Sequence, residues 1–498
     1  MKRRVADYTE ACYRAMERGR DLGVYAILRI QHRAERSVSA ANGAIQSAHC
    51  DERSGMGVQV ITPDGATGHA CTDRITPEAA ERLVEDAARL ASMSQGYGAR
   101  KVDGHQRMPR LITSVHCEAP MGIENFSHEE EQRLVAKASA ETAAIDPALA
   151  CHTAYGIVHE EWRVVRSDGT DVMFNMPRAV CRSSITARDA SSGRAASVGA
   201  AVSGRDASII ATPEGWERFM KRSRTQARTA LALLEARGVK AGSYRLVIDY
   251  ALAKGLAHEA FGHSAESDGM RTSILWRDGK FMAGTRVAPP NVSIVDGPVE
   301  GDYAYQPVSS NGVLRGTVHI VRDGVLTSAL ADAFSAAEAG VEPTGAGRAE
   351  SYRDVPLPRM SNIRLTVADP IPMPRDFEDV TPEHVRDALV GAGLLQEGQV
   401  VLYLSGYKGG QVNPAKGDFV FNCSAIYELT TSAIRLRLPA IFSGKVLSAL
   451  AAILAGIGDP VIDAQGTCGK KGQGVPSSGG ANMFLVIDAA PDIRIGGV

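Results

Sequence analysis

Aspartate-glycine pairs punctuate this chain between short apolar runs, at Asp64-Gly65, Asp168-Gly169, Asp278-Gly279, Asp296-Gly297 and Asp323-Gly324. Such a pair supplies the left-handed backbone that a tight hairpin needs, so the flanking runs fold back as antiparallel strands. With 50 glycines in 498 residues and 5% aromatics, turn-rich β structure is favoured over long helical arrays. The predicted strands include residues 24–30, 56–62, 67–71, 156–165, 170–176, 244–249, 400–404, 418–422 and 483–488. Helices are fewer. Residues 8–20 form one, Thr76-Pro77-Glu78 opens another that runs to about Ala91, and a third lies near 128–144. Thr212-Pro213-Glu214 begins the clearest of them, with Trp216, Met220, Ala227, Leu231 and Leu234 near helical spacing and Gly238 as its stop. Its Arg218, Lys221, Arg222, Arg224 and Arg228 read as a solvated face.

The chain is long enough for two or three domains, and the elements divide it into 1–240 and 241–498, with a sub-boundary near 95–120. Lys and Arg number 55 against 57 Asp and Glu, a net charge of −2 that offers no electrostatic argument for nucleic acid or a membrane surface. The basic start Met1-Lys2-Arg3-Arg4 runs into charge and not into an apolar segment, which argues against a secretory leader. The longest apolar stretch, Val446 to Gly458, is too short to span a bilayer. Eight widely spaced cysteines without a CxxC pair suit a reducing, cytoplasmic setting. Phosphate-loop and serine-hydrolase motifs are both absent from the sequence.

Chemistry concentrates in His258-Glu259-Ala260-Phe261-Gly262-His263. Two imidazoles can hold a borderline metal, and the carboxylate between them can take a proton from a water. The spacing is five residues where HExxH has four. On a regular α-helix that turns the two side chains about 140° apart. A single π turn would return them to one face, with Gly262 easing the distortion. By pattern alone, two hydrogen-bonded structural histidines on a helix are the favoured reading.

A second segment, Gly466-Thr467-Cys468-Gly469-Lys470-Lys471-Gly472-Gln473-Gly474, reads as a Gly-dense loop around one thiol. Lys470 and Lys471 would favour a thiolate, making Cys468 either a third metal donor or a buried loop thiol. Glu266 and Asp268 lie one turn past His263, as groups that orient an imidazole or as solvated carboxylates. Arg348 and Arg359 offer guanidinium groups for substrate or ties between loops, and Tyr352 offers a hydroxyl.

Five ordered blocks resemble the TldD/PmbA metallopeptidase family: the His258 to His263 segment, Pro343 to Tyr352, Pro356 to Asn362, Gly409-Gly410-Gln411-Val412 with Asp418 to Phe421, and Cys468 to Gln473. Together they cover about residues 244–498. The resemblance implies one divalent metal per chain, zinc or ferrous iron, on His258, His263 and Cys468, with Glu259 as general base. It implies substrate contacts from the blocks holding Arg348, Tyr352, Arg359 and Gly410. It also implies a metal-bearing, TldD-like subunit that pairs with a PmbA/TldE-like subunit, or with itself, and hydrolyses short or unfolded peptides. The fold expected is α+β, a smaller N-terminal α/β region followed by a β-rich C-terminal catalytic domain with the metal motif on a helix. Two other readings fit the same residues. One is an amide-cleaving tailoring enzyme on this scaffold. The other is a binding subunit whose metal is structural, closed by a fourth ligand such as Cys423.

Overall fold

The structure, a computed structural model, describes residues 4–95 and 103–496. The first three residues of the basic N-terminus, and the part of the 95–120 sub-boundary that falls on 96–102, lie outside the described residues. The fold is α+β, as expected.

Alternation of side chains along strands builds the first sheet. It comprises β1 (Tyr25–Ala41), β2 (Ala44–Ile61), β3 (Thr67–Thr72), β4 (Ile112–Val115), β5 (Leu149–Arg166), β6 (Asp171–Arg188) and β7 (Ala195–Gly204). Their order is β3-β2-β1-β5-β6-β4, with β7 also on β6. In β1 the even positions Ala26, Leu28, Ile30, Val38 and Ala40 pack under helices, while Ile27 faces the other way. The covering helices are α1 (Thr9–Asp21), α2 (Pro77–Gln95), α3 (His128–Ala143), α4 (Ser208–Ala211) and α5 (Pro213–Leu233). Thr212 caps α5 through Gly215 N–H at 3.1 Å, the arrangement its sequence foretells.

The second sheet contains thirteen strands. At its centre β8 (Arg245–Asp249) pairs parallel to Val401–Asn413 and antiparallel to Gln473–Ile487. Covered on both faces, β8 carries the apolar run Leu246-Val247-Ile248 between Arg245 and Asp249, and Asp249 caps α6 (Tyr250–Gly255) by accepting from Leu252 N–H at 3.0 Å. The chain thus passes from the middle of this sheet directly into the histidine segment.

Several expectations need correction. Asp278-Gly279 and Asp323-Gly324 turn with both residues at positive φ, but Asp296-Gly297 ends the strand Val292–Gly297 and makes no hairpin. Asp296 is buried and accepts from Ser361 N–H at 2.8 Å, so its carboxylate ties the end of that strand to the segment leading into Asn362–Val367. The strand predicted to end at 176 continues through Pro177. That residue falls between the stretches of β6 paired with β4 (171–174) and with β7 (179–188), where the outer edge has no strand awaiting an N–H. Helix α5 stops at Leu233, short of Gly238, because Ala236 packs into the core and Arg237 C=O accepts from Leu438 N–H at 3.0 Å. Nor is its basic face wholly solvated: Lys221 pairs with Asp379, and Arg222 with Glu378 (2.6 Å) and Asp463 (2.9 Å). Among the described residues no helix is long and apolar enough to cross a membrane.

Polar groups as well as apolar ones tie the first sheet to the second half of the chain. Arg29 of β1, fully buried, donates to Gln59 at 2.9 Å and to Asn311 at 2.8 Å, and also to Ser310 C=O. Removing the guanidinium strands three buried acceptors. The replacement Arg29→Met is expected to lower unfolding free energy by about 3 kcal/mol, read from urea denaturation against wild type.

Candidate metal centre and active site

The backbone between Leu256 and Gly262 is a π-helix, the widened turn that the five-residue spacing calls for. It brings the rings of His258 and His263 to 5.2 Å between centroids, at 90° to each other. Gly262 contributes differently from expectation. Its φ of −56° and ψ of −55° are ordinary helical values, so it relieves no backbone distortion. A Cβ there would lie 1.8 Å from Met360 Sδ and 3.1 Å from Ile363 Cδ1, and the glycine is what lets the turn pack against Met360 and the strand Asn362–Val367 that follows it.

Cys468 reaches the same point from 205 residues away. Its segment is no loop: Gly466–Lys470 and Gln473–Ile487 form a hairpin turned at Lys471-Gly472, both at positive φ. Cys468 Sγ lies 3.7 Å from His263 Nε2, and ligand atoms of His258, His263 and Cys468 all fall within 4.8 Å of one another. Glu259 stands beside them, its carboxylate 3.9 Å from His263 Nε2. Cys423, the conceivable fourth donor, is elsewhere, with its thiol 3.6 Å from Ala440 C=O.

Neighbouring charges set the protonation of each group. Burial, reinforced by Lys254 and protonated His263, holds His258 well below the usual imidazole value, so it is neutral. Burial would also lower His263, but Glu266 and Cys468 outweigh it and raise this imidazole well above its usual value. Burial pushes the Cys468 thiol up, yet its contact with His263 and the Arg359 charge bring it below the usual thiol value. The Glu259 carboxyl is raised by burial, against the pull of His263 and Lys254.

The other singled-out residues divide between support and distance. Glu266 accepts from His263 Nδ1 at 3.0 Å and so turns Nε2 toward Cys468. Asp268 touches neither histidine; it binds Lys470 (2.6 Å) and Lys471 (3.1 Å). Those lysines therefore face carboxylates, and Arg359 is the cation on the thiol, with Nε 3.3 Å from Sγ and Nη2 on the Cys468 carbonyl. Arg348 is buried behind the hairpin, donating to Gln306 at 2.7 Å and to Pro476 C=O at 2.7 Å. Tyr352 packs on Gly55 of the first sheet and hydrogen-bonds Asp73, away from the three donors. Gly410 sits opposite Phe421, where a Cβ would lie 2.1 Å from the ring. Sequence reasoning passed over Lys254, which is buried within this site and precedes His258 by four residues on the same helical face. That spacing was the available signal.

Two imidazoles and a thiolate are a fitting donor set for zinc or a similar divalent ion. His258 Nδ1 is buried with no hydrogen-bond partner, the condition of a donor atom awaiting an ion.

Residues 241–481 match the family described as PmbA/TldA metallopeptidase C-terminal domain, and residues 26–91 match PmbA/TldA metallopeptidase domain 1. A metalloprotease of Methanothermobacter thermautotrophicus is 26% identical over 475 residues, spanning 95% of this chain and 94% of its own. A metalloprotease TldD homolog of Haemophilus influenzae is 27% identical over 488 residues, spanning 95% and 93%. The crystal structure of TldE from Thermococcus kodakarensis shares the fold, with a TM-score of 0.75 at 14% identity, over 98% of this chain and 100% of that one.

The His263–Glu266 pair has a pH signature in protein stripped of metal. His263 is raised when folded, so its contribution is full below about pH 6.5 and is lost as pH climbs through the folded value. Glu266 is lowered when folded, through His263 and Lys470 and against burial, so its contribution is full above about pH 4.3 and is lost below that. Melting temperature in chelator should therefore fall as pH rises from 6.5, and Glu266→Gln should flatten that decline.

Proposed function

This chain belongs to the TldD/PmbA family of metallopeptidases, and from that premise we propose that it hydrolyses peptide bonds in short or unfolded peptides, using one divalent metal held by His258, His263 and Cys468. The observation carrying this reading is the convergence of three metal-competent side-chain atoms within 4.8 Å, with Glu259 beside them and outside the set. When bound, a divalent ion supplies Lewis acidity to a peptide carbonyl and acidifies a water. Zinc suits two imidazoles and a thiolate best, and ferrous iron accepts the same donors. Three protein donors suit an open, catalytic centre, whereas a structural zinc is closed by four. That counts against the binding-subunit reading, as does the remote position of Cys423.

Glu259 is the proposed general base. Its raised pKa suits a group that accepts a proton from water and returns it to the departing amine. Glu266 fixes His263 through Nδ1, and Arg359 favours the thiolate form of Cys468 that a metal requires. Peptide in extended form would lie along an exposed strand edge, read through its backbone. The likeness to TldE supports pairing with a PmbA/TldE-like subunit as a heterodimer, with a homodimer as the other arrangement. Eight cysteines, all free, suit a cytoplasmic setting.

Glu259→Gln is expected to keep its metal, by mass spectrometry, while losing about 10²–10⁴-fold in kcat on an unfolded-protein digest. Cys468→Ala is expected to lose most of the metal. Activity confined to a narrow peptide set would favour the tailoring reading. Metal-free wild type after metal-replete preparation with its partner chain would end the metallopeptidase reading.

A further inference from the structure

A cavity of about 580 Å³ lies between β7 and α5 on one side and α6 with the start of the Val401–Asn413 strand on the other. That size is typical of small-ligand sites. Phe377, Tyr403, Tyr407 and Tyr427 give it an aromatic lining. Its carboxylates already have partners. Asp249 accepts backbone N–H groups of Leu252 and Gly406, while Glu378 and Asp463 both pair with Arg222.

Of the lining cations without a carboxylate partner, Arg182 donates to Gln465 and Lys408 to Ser197 C=O from exposed positions, and Lys254 is the buried one. It lines this cavity and is only 5% exposed. Its ammonium has three N–H donors, and its hydrogen-bond partner among the described residues is Ser477 Oγ at a long 3.4 Å. Ser477 stands opposite Gly466 in the hairpin that carries Cys468, and a Cβ on Gly466 would come 3.3 Å from Lys254 Nζ. The cation is thus pressed between the cavity and the site, within the electrostatic reach of Glu259. A buried ammonium with donors to spare is stabilised by an anion brought to it.

We propose that this cavity receives the carboxylate-bearing end of the peptide substrate, with Lys254 taking that carboxylate beside the reacting bond. The inference rests on the peptidase reading and narrows it to peptides that present an anion close to the cleaved bond. The carboxylate is either the peptide's own C-terminus or an Asp or Glu side chain. The aromatic lining suits apolar residues next to it. Lys254 is a specificity residue here, and Glu259 keeps the proton transfer.

The test uses one peptide sequence in three forms: free C-terminal acid, C-terminal amide, and amide with a Glu at the last position. Binding is measured by fluorescence anisotropy on metal-loaded Glu259→Gln protein, and hydrolysis on the loaded wild type. The free acid should bind about tenfold or more tightly than the amide, the scale of one charge-assisted hydrogen bond. Lys254→Met should bring that ratio close to one, and Lys254→Arg should retain part of it. Recovery by the Glu-bearing amide identifies a side-chain carboxylate; failure to recover identifies the C-terminus. Equal binding and cleavage of acid and amide by protein with Lys254 intact overturns the inference and leaves the peptidase reading standing. A Lys254→Met loss shared equally by acid and amide also overturns it, assigning the lysine to the reacting carbonyl or to the fold. If wild type cleaves none of the forms yet the acid preference persists in binding, the peptidase reading fails and the carboxylate site remains.

Discussion

A five-residue interval between two histidines obliges the helix to widen, and the second half of the chain is arranged around that turn. A regular helix would send His258 and His263 to different faces; the π turn puts their rings 5.2 Å apart. Such turns are rare because their hydrogen bonds and packing are poorer, so this one needs outside support. Support comes from the Met360 side chain and from Ile363 on the strand behind it, which pack so closely on Gly262 that a side chain there would have to displace Met360. The turn, the glycine and the strand therefore form a single packing unit.

Charge alternates through the site with little interruption. Lys470 meets Glu266 at 2.7 Å, Glu266 meets His263 at 3.0 Å, His263 meets Cys468 at 3.7 Å, and Arg359 closes the row at 3.3 Å. Any of these groups alone would be expensive to bury; in sequence each offsets its neighbour. The row also fixes which histidine nitrogen faces inward, so the donors are oriented before an ion arrives.

Much of this was legible in the amino-acid order. Threonine caps, Asp-Gly hairpins and the apolar run of β8 are local signals, and local physics decided them. The π turn was legible as well, because a spacing of five has few geometric solutions. Less legible were the features that depend on distant partners. Asp296 looks like a turn residue until Arg315 and Ser361 are seen around it. Pro177 looks like a strand end until two other strands are found to leave its edge free. Arg359 looked like a substrate contact and is the cation on Cys468, while Lys470 and Lys471 looked like that cation and serve carboxylates. Sequence proximity misled there because the carboxylates of Glu266 and Asp268, distant in the chain, come within hydrogen-bond reach of both ammonium groups.

Cys468 stands on a hairpin 205 residues beyond His263, and this separation has a consequence in time. A chain emerging from the ribosome exposes both histidines long before the thiol exists. Until the hairpin docks beside β8, the imidazoles lack their third companion and Arg359 and Arg348 lack the carbonyls they hold. Closing so distant a contact is among the later events of folding. The three-donor cluster is thereby incomplete until nearly all of the chain has been made.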